Sequence, residues 1–482
     1  MAGRRMARMR MASGDGAPAP QGGTRWRASL PRLSRRAAAP VLGASLTATV
    51  LAGAMMAAGP AAASAASPAA RTAATARAVT AALAGRTPAT RAAARLGSPA
   101  ARWLLSRAQA TAGGARAMTP QARMAAATNA FGVNGAVLYG VSCTGRSQCT
   151  ATGMASTRSG KNVKTVAERW NGTAWTLQST PTPTSRTLQG GTLIAGVSCT
   201  SATACMAAGF SYGKKADQLL GEGWNGRTWA SQPDAAPAVR GEPSGISCTW
   251  AKDCTAVGGR DSGMTLAEHW SGRRWSAETT KHAGSLMGVS CPAAGNCTAV
   301  GTNENAKALA AHWNGKAWSD QSVASPDGIN LLSDVSCTTL DCVAVGTGGT
   351  PTSSALDLTP LAEQRVGGKW SALTIPDPAP AGDFVELTSV SCTSASNCMA
   401  VGDYTDAAGT TATTLAMQWN GTTWTAEGTA SPAKFSALLS VSCPSATHCV
   451  AVGARSAKAN GTVSPLTEVW NGSTWTAVTA PR

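Results

Sequence analysis

Two stretches decide the fold: VSCPAAGNCTAVG from Val289 to Gly301, and WNGKAW from Trp313 to Trp318. The first recurs seven times as Val-Ser-Cys (once Ile-Ser-Cys), a second cysteine, and a short run of small residues that ends in glycine. The second recurs as Trp-Asn-Gly-x-x-Trp in five repeats and with Ser271 for asparagine in the third, and in the fifth repeat Arg365 replaces the first tryptophan while Trp370 is kept. Because 300 residues separate the first copy from the seventh, the mean period is 50, which indicates a repeat architecture.

The repeats use all fourteen cysteines as seven closely spaced pairs. Two cysteines per repeat without histidine partners disfavour zinc, and the export signal described below favours disulfides over reduced cysteines. Each disulfide would close a loop of about seven residues, which the chain-entropy model values at about 2 kcal/mol. The expected pairs are Cys143–Cys149, Cys199–Cys205, Cys248–Cys254, Cys291–Cys297, Cys337–Cys342, Cys392–Cys398 and Cys443–Cys449.

Each period contains four short runs of strand length, and no segment of the repeats has a sustained helical period. The Asn-Gly dipeptide between two of the runs predicts a tight hairpin. Four strands at this period predict an all-β fold, a seven-bladed β-propeller of four-stranded antiparallel blades. The sequence leaves open which four consecutive strands make up one blade, a choice we call the strand phase. Either each blade is one contiguous repeat, or a tryptophan hairpin forms the inner half of a blade and the next Val-Ser-Cys hairpin forms its outer half.

The region before the repeats divides into two segments of different composition. Residues 1–65 combine nine arginines with an apolar run from Val41 to Ala58, which predicts a signal peptide. An uncleaved membrane anchor is the alternative, and both Sec and twin-arginine export remain open. Residues 66–126 are rich in alanine and arginine, so we expect a disordered or partly helical linker. The propeller is expected over 127–482, in a secreted protein that is extracellular or associated with the cell envelope.

The residues that give the chain its net charge of +17 lie before the propeller. Residues 127–482 contain 23 basic and 23 acidic residues, so the propeller itself is neutral. It has no basic groove with interleaved aromatic residues, and nucleic acid is therefore not an expected partner. The linker contains no acidic residue, so it is either an inert stalk or an electrostatic tether to an anionic cell envelope.

The loops between the strands differ in how much they vary from repeat to repeat. Loops between the first and second strands, and turns between the third and fourth, are nearly constant, whereas the loops at the other end vary in length and composition. Function usually resides in variable loops held by a rigid scaffold, so we expect any ligand to bind this variable end near the central channel. The predicted contacts are Tyr212, Lys214, Lys215, Arg260, Asp261, Asn303, Glu304, Asp403, Tyr404, Asp406 and Arg455.

Several recurring residues have both a structural and a functional interpretation. The paired tryptophans are expected to pack, with sugar stacking as the alternative, and Trp250 in the third disulfide loop is expected to be exposed. A glutamate recurs two positions before the first tryptophan in five repeats. We favour a structural hydrogen bond as its role over a ring of carboxylate ligands that would hold a metal ion. The four histidines form no recognisable catalytic set, so we predict no catalytic residue, no metal site and no cofactor. The glutamates are Glu168, Glu222, Glu268, Glu363 and Glu468.

The paired motif, Val-Ser-Cys-x5-Cys-x-Ala-Val-Gly followed by Trp-Asn-Gly-x-x-Trp, resembles the repeat of secreted β-propeller-like proteins of actinobacteria. Its layout is similar to that of kelch and Asp-box (sialidase-type) propellers, and the resemblance covers about residues 136–482. The Gly172 to Trp175 spacing matches the Asp box, but Glu168 and Trp170 stand where that motif has serine and aspartate. No catalytic residue is therefore carried over from those families.

The sequence favours a non-enzymatic binding or scaffold propeller that recognises an extracellular or cell-surface glycan or protein, and we expect a monomer. The alternative is an extracellular glycoside hydrolase or polysaccharide lyase with its site at the channel mouth, where carboxylates or histidines would gather. A purely structural envelope protein is a third interpretation, because a propeller fold hosts many functions.

Overall fold

The computed structural model describes most of the repeat region. It covers residues 135–156, 163–181, 188–213, 218–233, 241–260, 262–324, 328–339, 341–351, 356–407, 409–458 and 462–479. The predicted signal peptide and linker lie outside these residues. Within the described ranges, no helix combines the length and the apolar character that a membrane crossing requires.

The described residues form 28 β-strands, four for each repeat. In chain order they are β1 (Gly135–Gly145), β2 (Gln148–Ser156), β3 (Val163–Trp170), β4 (Trp175–Gln178), β5 (Leu188–Ser201), β6 (Ala204–Gly213), β7 (Gln218–Trp224), β8 (Trp229–Gln232), β9 (Gly241–Trp250), β10 (Asp253–Arg260), β11 (Thr265–Trp270), β12 (Trp275–Ala277), β13 (Gly284–Ala293), β14 (Asn296–Asn303), β15 (Ala308–Trp313), β16 (Trp318–Gln321), β17 (Ile329–Thr338), β18 (Asp341–Pro351), β19 (Leu356–Val366), β20 (Lys369–Leu373), β21 (Phe384–Ser394), β22 (Asn397–Thr405), β23 (Ala412–Trp419), β24 (Trp424–Glu427), β25 (Phe435–Ser445), β26 (His448–Ser456), β27 (Ser464–Trp470) and β28 (Trp475–Val478).

Each repeat folds into one antiparallel meander, which we call a blade and number 1 to 7 in chain order. In blade 1, β1 pairs with β2, β2 with β3, and β3 with β4. The third strand ends at the first tryptophan and the fourth begins at the second, as the sequence predicts. A single parallel bridge between Ala412 and Phe435 additionally joins blades 6 and 7.

The first strands of the blades form the inner ring of a seven-bladed β-propeller. Each contacts the first strand of the next blade, and β25 of blade 7 returns to β1 of blade 1. At this seam Gly135 bridges Val463, and the backbone N–H of Ala136 donates to the carbonyl of Val463 at 3.2 Å. Each blade is therefore one contiguous repeat, and the alternative strand phase is wrong.

All seven expected disulfides form. The two cysteines of a pair lie opposite each other on the first and second strands, as Cys143 and Cys149 do. Each bridge thus staples the hairpin that begins its blade.

The serine of each Val-Ser-Cys triplet links one blade to the next. Its hydroxyl oxygen accepts a hydrogen bond from the backbone N–H of the cysteine in the following blade, as Ser142 does from Cys199 at 2.9 Å. Five further bonds of 3.0 Å continue around the inner ring, and Ser442 closes it by accepting from Cys143 at 3.0 Å. The serine is thus required at the inner-ring contact, a role that the sequence alone does not reveal.

The tryptophans fill the contacts between blades. In the six blades that have both, the ring centroids of a pair lie 5.5–5.8 Å apart. Trp175 of blade 1 packs in one cluster with Val450 and Val452 of blade 7, and Trp275 of blade 3 with Met206 of blade 2. This packing accounts for the repetition of the motif and agrees with the structural interpretation.

The recurring glutamates are buried and also connect blades. The hydroxyl of Thr165 in blade 1 donates to Glu222 Oε1 in blade 2 at 3.2 Å, and Thr414 in blade 6 donates to Glu468 Oε1 in blade 7 at 3.3 Å. Burial raises the pKa of Glu222 to about 8 and the pKa of Glu168 to about 7. These contacts agree with the structural role favoured from the sequence.

Candidate functional site

The blades present two different ends. The disulfide face consists of the loops between first and second strands together with the turns between third and fourth strands. The variable-loop face consists of the loops between second and third strands together with the connections between blades. Any ligand site on either face is held by the same rigid meanders.

The described members of the predicted contact set lie on the variable-loop side, at or just after the ends of second strands. There, Asn303 Oδ1 accepts from Asn305 N at 2.9 Å, Asp406 Oδ1 accepts from Thr411 N at 3.1 Å, and Arg260 Nε donates to the carbonyl of Thr265 at 3.2 Å. These three residues thus organise their own loops, and a ligand contact at this face stays a prediction. The described members are Tyr212, Arg260, Asn303, Glu304, Asp403, Tyr404, Asp406 and Arg455, while Lys214, Lys215 and Asp261 lie outside the described residues.

The inner strands carry carboxylates in three separate blades, namely Glu242, Asp334 and Glu386. Asp334 Oδ2 accepts from the hydroxyl of Ser389 at 2.7 Å and from the backbone N–H of Val390 at 3.1 Å. Asp334 therefore serves as a link between blades 5 and 6.

Three positions recur at each contact between neighbouring blades, and we call them the gap positions. They are the residue before the second cysteine, the residue before the first tryptophan, and the third residue after the second tryptophan. In blade 3 they are Asp253, His269 and Glu278. All three line a cavity on the side of blade 3 that faces blade 4.

Blade 3 has an ionisable side chain at all three gap positions, unlike the other six blades. At the third position a glutamine or glutamate accepts a hydrogen bond from the second tryptophan of the next blade in blades 1, 3 and 4. Because the other six blades fold with amide, apolar or isolated charged residues at these positions, the fold does not require three ionisable side chains there. The gap positions of the other blades are Gln148, Arg169 and Gln178; Ala204, Gly223 and Gln232; Asn296, His312 and Gln321; Asp341, Gln364 and Leu373; Asn397, Gln418 and Glu427; and His448, Val469 and Val478.

The cavity between blades 3 and 4, which we call the blade 3/4 cavity, has a volume of about 290 Å³. Blade 3 lines it with its three gap residues, and blade 4 lines it with Trp313 and the Cys291–Cys297 disulfide. A polar wall therefore faces an aromatic and sulfur-rich wall across the cavity.

His269 and Asp253 form a hydrogen-bonded pair in the cavity wall. His269 Nε2 lies 2.8 Å from Asp253 Oδ1, and the hydroxyl of Thr249 donates to Asp253 Oδ2. An ionised Asp253 holds a proton on Nε2 and fixes the orientation of the imidazole ring. The side chains remain 35% and 30% exposed, so a ligand can reach both.

Glu278 is the half-buried third group of the cavity wall. Burial raises the pKa of this carboxyl above its usual value, while the hydrogen bond from Trp318 and the nearby His269 act in the opposite direction. Trp318 Nε1 donates to Glu278 Oε2 at 2.6 Å. The cavity thus contains two carboxyl groups in different environments, one paired with an imidazole and one largely removed from water.

Trp313 gives the cavity an aromatic wall. Trp313 is half-buried and lines it, whereas the first tryptophans of blades 1, 3, 6 and 7 are fully buried. Trp250 follows the cavity residue Thr249 and is 69% exposed, which confirms the prediction that it is an exposed aromatic. An indole is therefore available inside the cavity, and a second, exposed one lies in the disulfide loop of blade 3.

Sequence reasoning considered His269 as one of four histidines and gave no role to Asp253 or Glu278. The available signal was the alignment of the repeats at the gap positions, where one blade departs from the other six. Spacing alone cannot show that the three positions meet at one cavity. That becomes visible only in the contact between blades 3 and 4. In the described part of the chain, no group of three or more His, Cys, Asp or Glu side chains is arranged to hold a metal ion.

No protein-family model matches this sequence, and no curated protein is similar to it. Solved propeller structures are similar to the chain, including YCF48 bound to D1 peptide at 12% identity, with a TM-score of 0.44 and coverage of 66% of this chain and 90% of that one. A GH74 xyloglucanase from Xanthomonas campestris has 14% identity and a TM-score of 0.44, over 71% and 55% of the two chains. A fucose-specific lectin from Aleuria aurantia has 11% identity and a TM-score of 0.35, over 61% and 94%. Likeness at this level carries no information about the ligand.

Proposed function

We propose that this protein is an extracellular, non-enzymatic propeller that binds a carbohydrate in the blade 3/4 cavity. The observation that carries the proposal is the Asp253–His269 pair facing Trp313 across a cavity that the fold does not require. It replaces the variable-loop face as the preferred site.

The side chains in the cavity suit a sugar ring. A carboxylate and an imidazole can accept and donate hydrogen bonds to vicinal hydroxyl groups, and an indole face covers the C–H side of a ring. At about 290 Å³ the cavity lies at the lower end of ligand pockets, so it accommodates one or two sugar units of a longer chain.

Binding is tested on the full mature chain with a glycan array, followed by calorimetry on the strongest oligosaccharide. We expect Asp253→Asn and His269→Gln each to weaken binding at least tenfold, since a hydrogen bond to a charged group is worth roughly 1.5–3 kcal/mol. The matched controls are Asp341→Asn and His312→Gln, which change the same gap positions in other blades and should alter affinity less than twofold. Equal losses in both sets would contradict a site between blades 3 and 4.

The extracellular location is supported by the seven disulfides, which persist in oxidising compartments. Thiol labelling of fractionated cultures tests it: we expect the protein outside the cytoplasm, with all fourteen cysteines blocked. Labelled free thiols in an exported protein would overturn this part of the proposal.

Glycoside hydrolysis is the second candidate, favoured by the two carboxyl environments in the cavity. Glu278, whose pKa burial raises, would act as the acid, and Asp253 would be the second carboxylate. Release of reducing ends from a bound glycan, lost in Glu278→Gln and kept in Glu427→Gln, would favour the enzyme. Binding without any release favours the non-enzymatic module.

A further inference from the structure

We propose, building on the carbohydrate site, that the ligand is an anionic glycan: a sugar chain with carboxylate or phosphate groups that places one unit in the blade 3/4 cavity and its charges against a cationic rim. The rim consists of Lys252, Arg273, Arg274 and Lys316.

The disulfide face is basic although the propeller is neutral. Within residues 127–482 the basic and acidic residues are equal in number, yet the disulfide loops and turns contain seven cations and two acids. The cations are Arg146, Arg227, Lys252, Arg273, Arg274, Lys316 and Lys369, and the acids are Asp253 and Asp341. The disulfide face therefore carries an excess of positive charge, and the rest of the propeller carries an equal excess of negative charge.

Four of the seven cations belong to the loop and turns of the two blades that form the blade 3/4 cavity. Lys252 directly precedes the cavity residue Asp253, and Lys316 directly follows the cavity residue Gly315. Arg273 lies in the blade 3 turn next to Gly272, where an added Cβ would come within 2.6 Å of Lys252 Cβ. The disulfide loop and the turn of blade 3 thus touch, so the cations of blade 3 lie in two adjacent segments.

The fold does not depend on ion pairs formed by the rim cations. All four side chains are exposed, and none forms an ion pair with another described residue. The corresponding turns of blades 1, 6 and 7 carry uncharged residues, Thr173-Ala174, Thr422-Thr423 and Ser473-Thr474, in the same conformation. The extra charge at blades 3 and 4 is therefore available for a ligand.

The cavity interior is compatible with an anionic chain at its entrance. Asp253 is hydrogen-bonded to His269 at 2.8 Å, and Glu278 accepts a hydrogen bond from Trp318 while burial disfavours its charged form. The sugar unit can thus meet hydrogen-bonding groups inside, while negative groups on the neighbouring units remain outside against Lys252 and Lys316. Exposed charge pairs of this kind are strongly screened by salt.

The experiment compares three probes by calorimetry with the full mature protein: an oligogalacturonate, the same oligosaccharide with its carboxyls reduced to alcohols, and an oligosaccharide whose sugar units are joined by phosphodiester bonds. We expect at least one anionic probe to bind at least tenfold more tightly than the reduced one, and to weaken several-fold between 50 and 500 mM salt, within the range that screening predicts. Preference between the first and third probes distinguishes carboxylate from phosphate.

Matched variants locate the charges. Arg273→Gln with Lys316→Gln removes two rim cations, and Arg227→Gln with Lys369→Gln removes one arginine and one lysine from the equivalent turns of blades 2 and 5. We expect the rim pair to weaken the anionic probe at least fivefold and the control pair less than twofold, with neither changing the unfolding midpoint.

Three outcomes overturn the inference. Equal binding of the reduced oligosaccharide means that the cavity takes a neutral sugar, and the proposed function then stands without the anionic ligand. Equal losses in the rim and control variants mean that the whole face attracts polyanions. If Asp253→Asn and His269→Gln leave the affinity for the anionic probe unchanged, the cavity takes no part in binding. The proposed function then fails together with the inference.

Discussion

Ser442 Oγ accepts a hydrogen bond from the backbone N–H of Cys143 at 3.0 Å, although 299 residues separate the two residues that hold the seam. The same bond occurs at the other six contacts around the inner ring, for example between Ser290 and Cys337 at 3.0 Å. The seam between the last and first blades is therefore built from the same contact as every other junction.

Removal of one serine hydroxyl from the inner ring of first strands should lower the free energy of unfolding by the value of a single hydrogen bond. We expect Ser442→Ala and Ser290→Ala each to reduce the free energy of unfolding by about 0.5–1.5 kcal/mol, with similar losses at the seam and elsewhere. Urea unfolding followed by tryptophan fluorescence measures this. Ser371→Ala, at an exposed strand position, is the control, and a seam variant as stable as this control would argue against the ring.

Reduction of the disulfides should destabilise the propeller in proportion to the number of bridges opened. Cys392→Ser combined with Cys398→Ser removes the bridge of blade 6 and should cost about 2 kcal/mol, because a short closed loop restrains the unfolded chain only moderately. Chemical unfolding of this variant is compared with that of the fully oxidised protein. A midpoint that stays the same after complete removal would show that the meander holds the hairpin unaided.

Stability should fall as the pH rises from 5 to 8.5. Burial raises the pKa of Glu222 from 4.5 in the unfolded chain to about 8 in the folded protein, so the folded state keeps a proton that the unfolded chain releases. Its contribution is complete below pH 4.5 and is lost as the pH passes through 8, with each pKa unit worth about 1.4 kcal/mol. Unfolding free energies at pH 5, 6.5 and 8.5 measure the slope.

Glu222→Gln should reduce that slope, because an amide does not titrate in this range. The half-buried Glu427, changed to Gln, should leave it unchanged. A wild-type protein that is more stable at pH 8.5 than at pH 5 would show that the carboxyl at position 222 is not held neutral.

Trp250 should contribute to ligand affinity and not to stability. Its side chain is 69% exposed, so Trp250→Ala removes little buried area but takes away the exposed indole that follows the cavity residue Thr249. We expect a three- to tenfold loss of affinity with an unchanged unfolding midpoint. Leu177→Ala, 57% exposed on blade 1, is the matched surface control; if both variants bind equally well, Trp250 takes no part in the site.

The sequence predicts the blades well because their determinants are local. The cysteine spacing brings Cys143 opposite Cys149 within one hairpin, and the Asn-Gly turn sets Trp170 beside Trp175 in the next. Each of these pairs lies within seven residues, so the repeat motif contains both members.

The contacts between blades are harder to predict, because each partner belongs to a different repeat. The link from Ser142 to Cys199 depends on which strand lies innermost, and the sequence left that phase open. The same limit concealed the blade 3/4 cavity, since Asp253 and Glu278 gain their significance from Trp313 and Trp318 of the next blade.

The closure of the ring has a consequence for the order of the blades along the gene. Because no blade is shared between the two ends, the junction from blade 7 to blade 1 uses the same serine–cysteine hydrogen bond as the others and lacks only the covalent connection that joins the other blades. The start of the chain is therefore topologically arbitrary. A circularly permuted gene that opens the chain between blades 1 and 2 and joins residue 479 to residue 135 through a short linker should yield the same propeller.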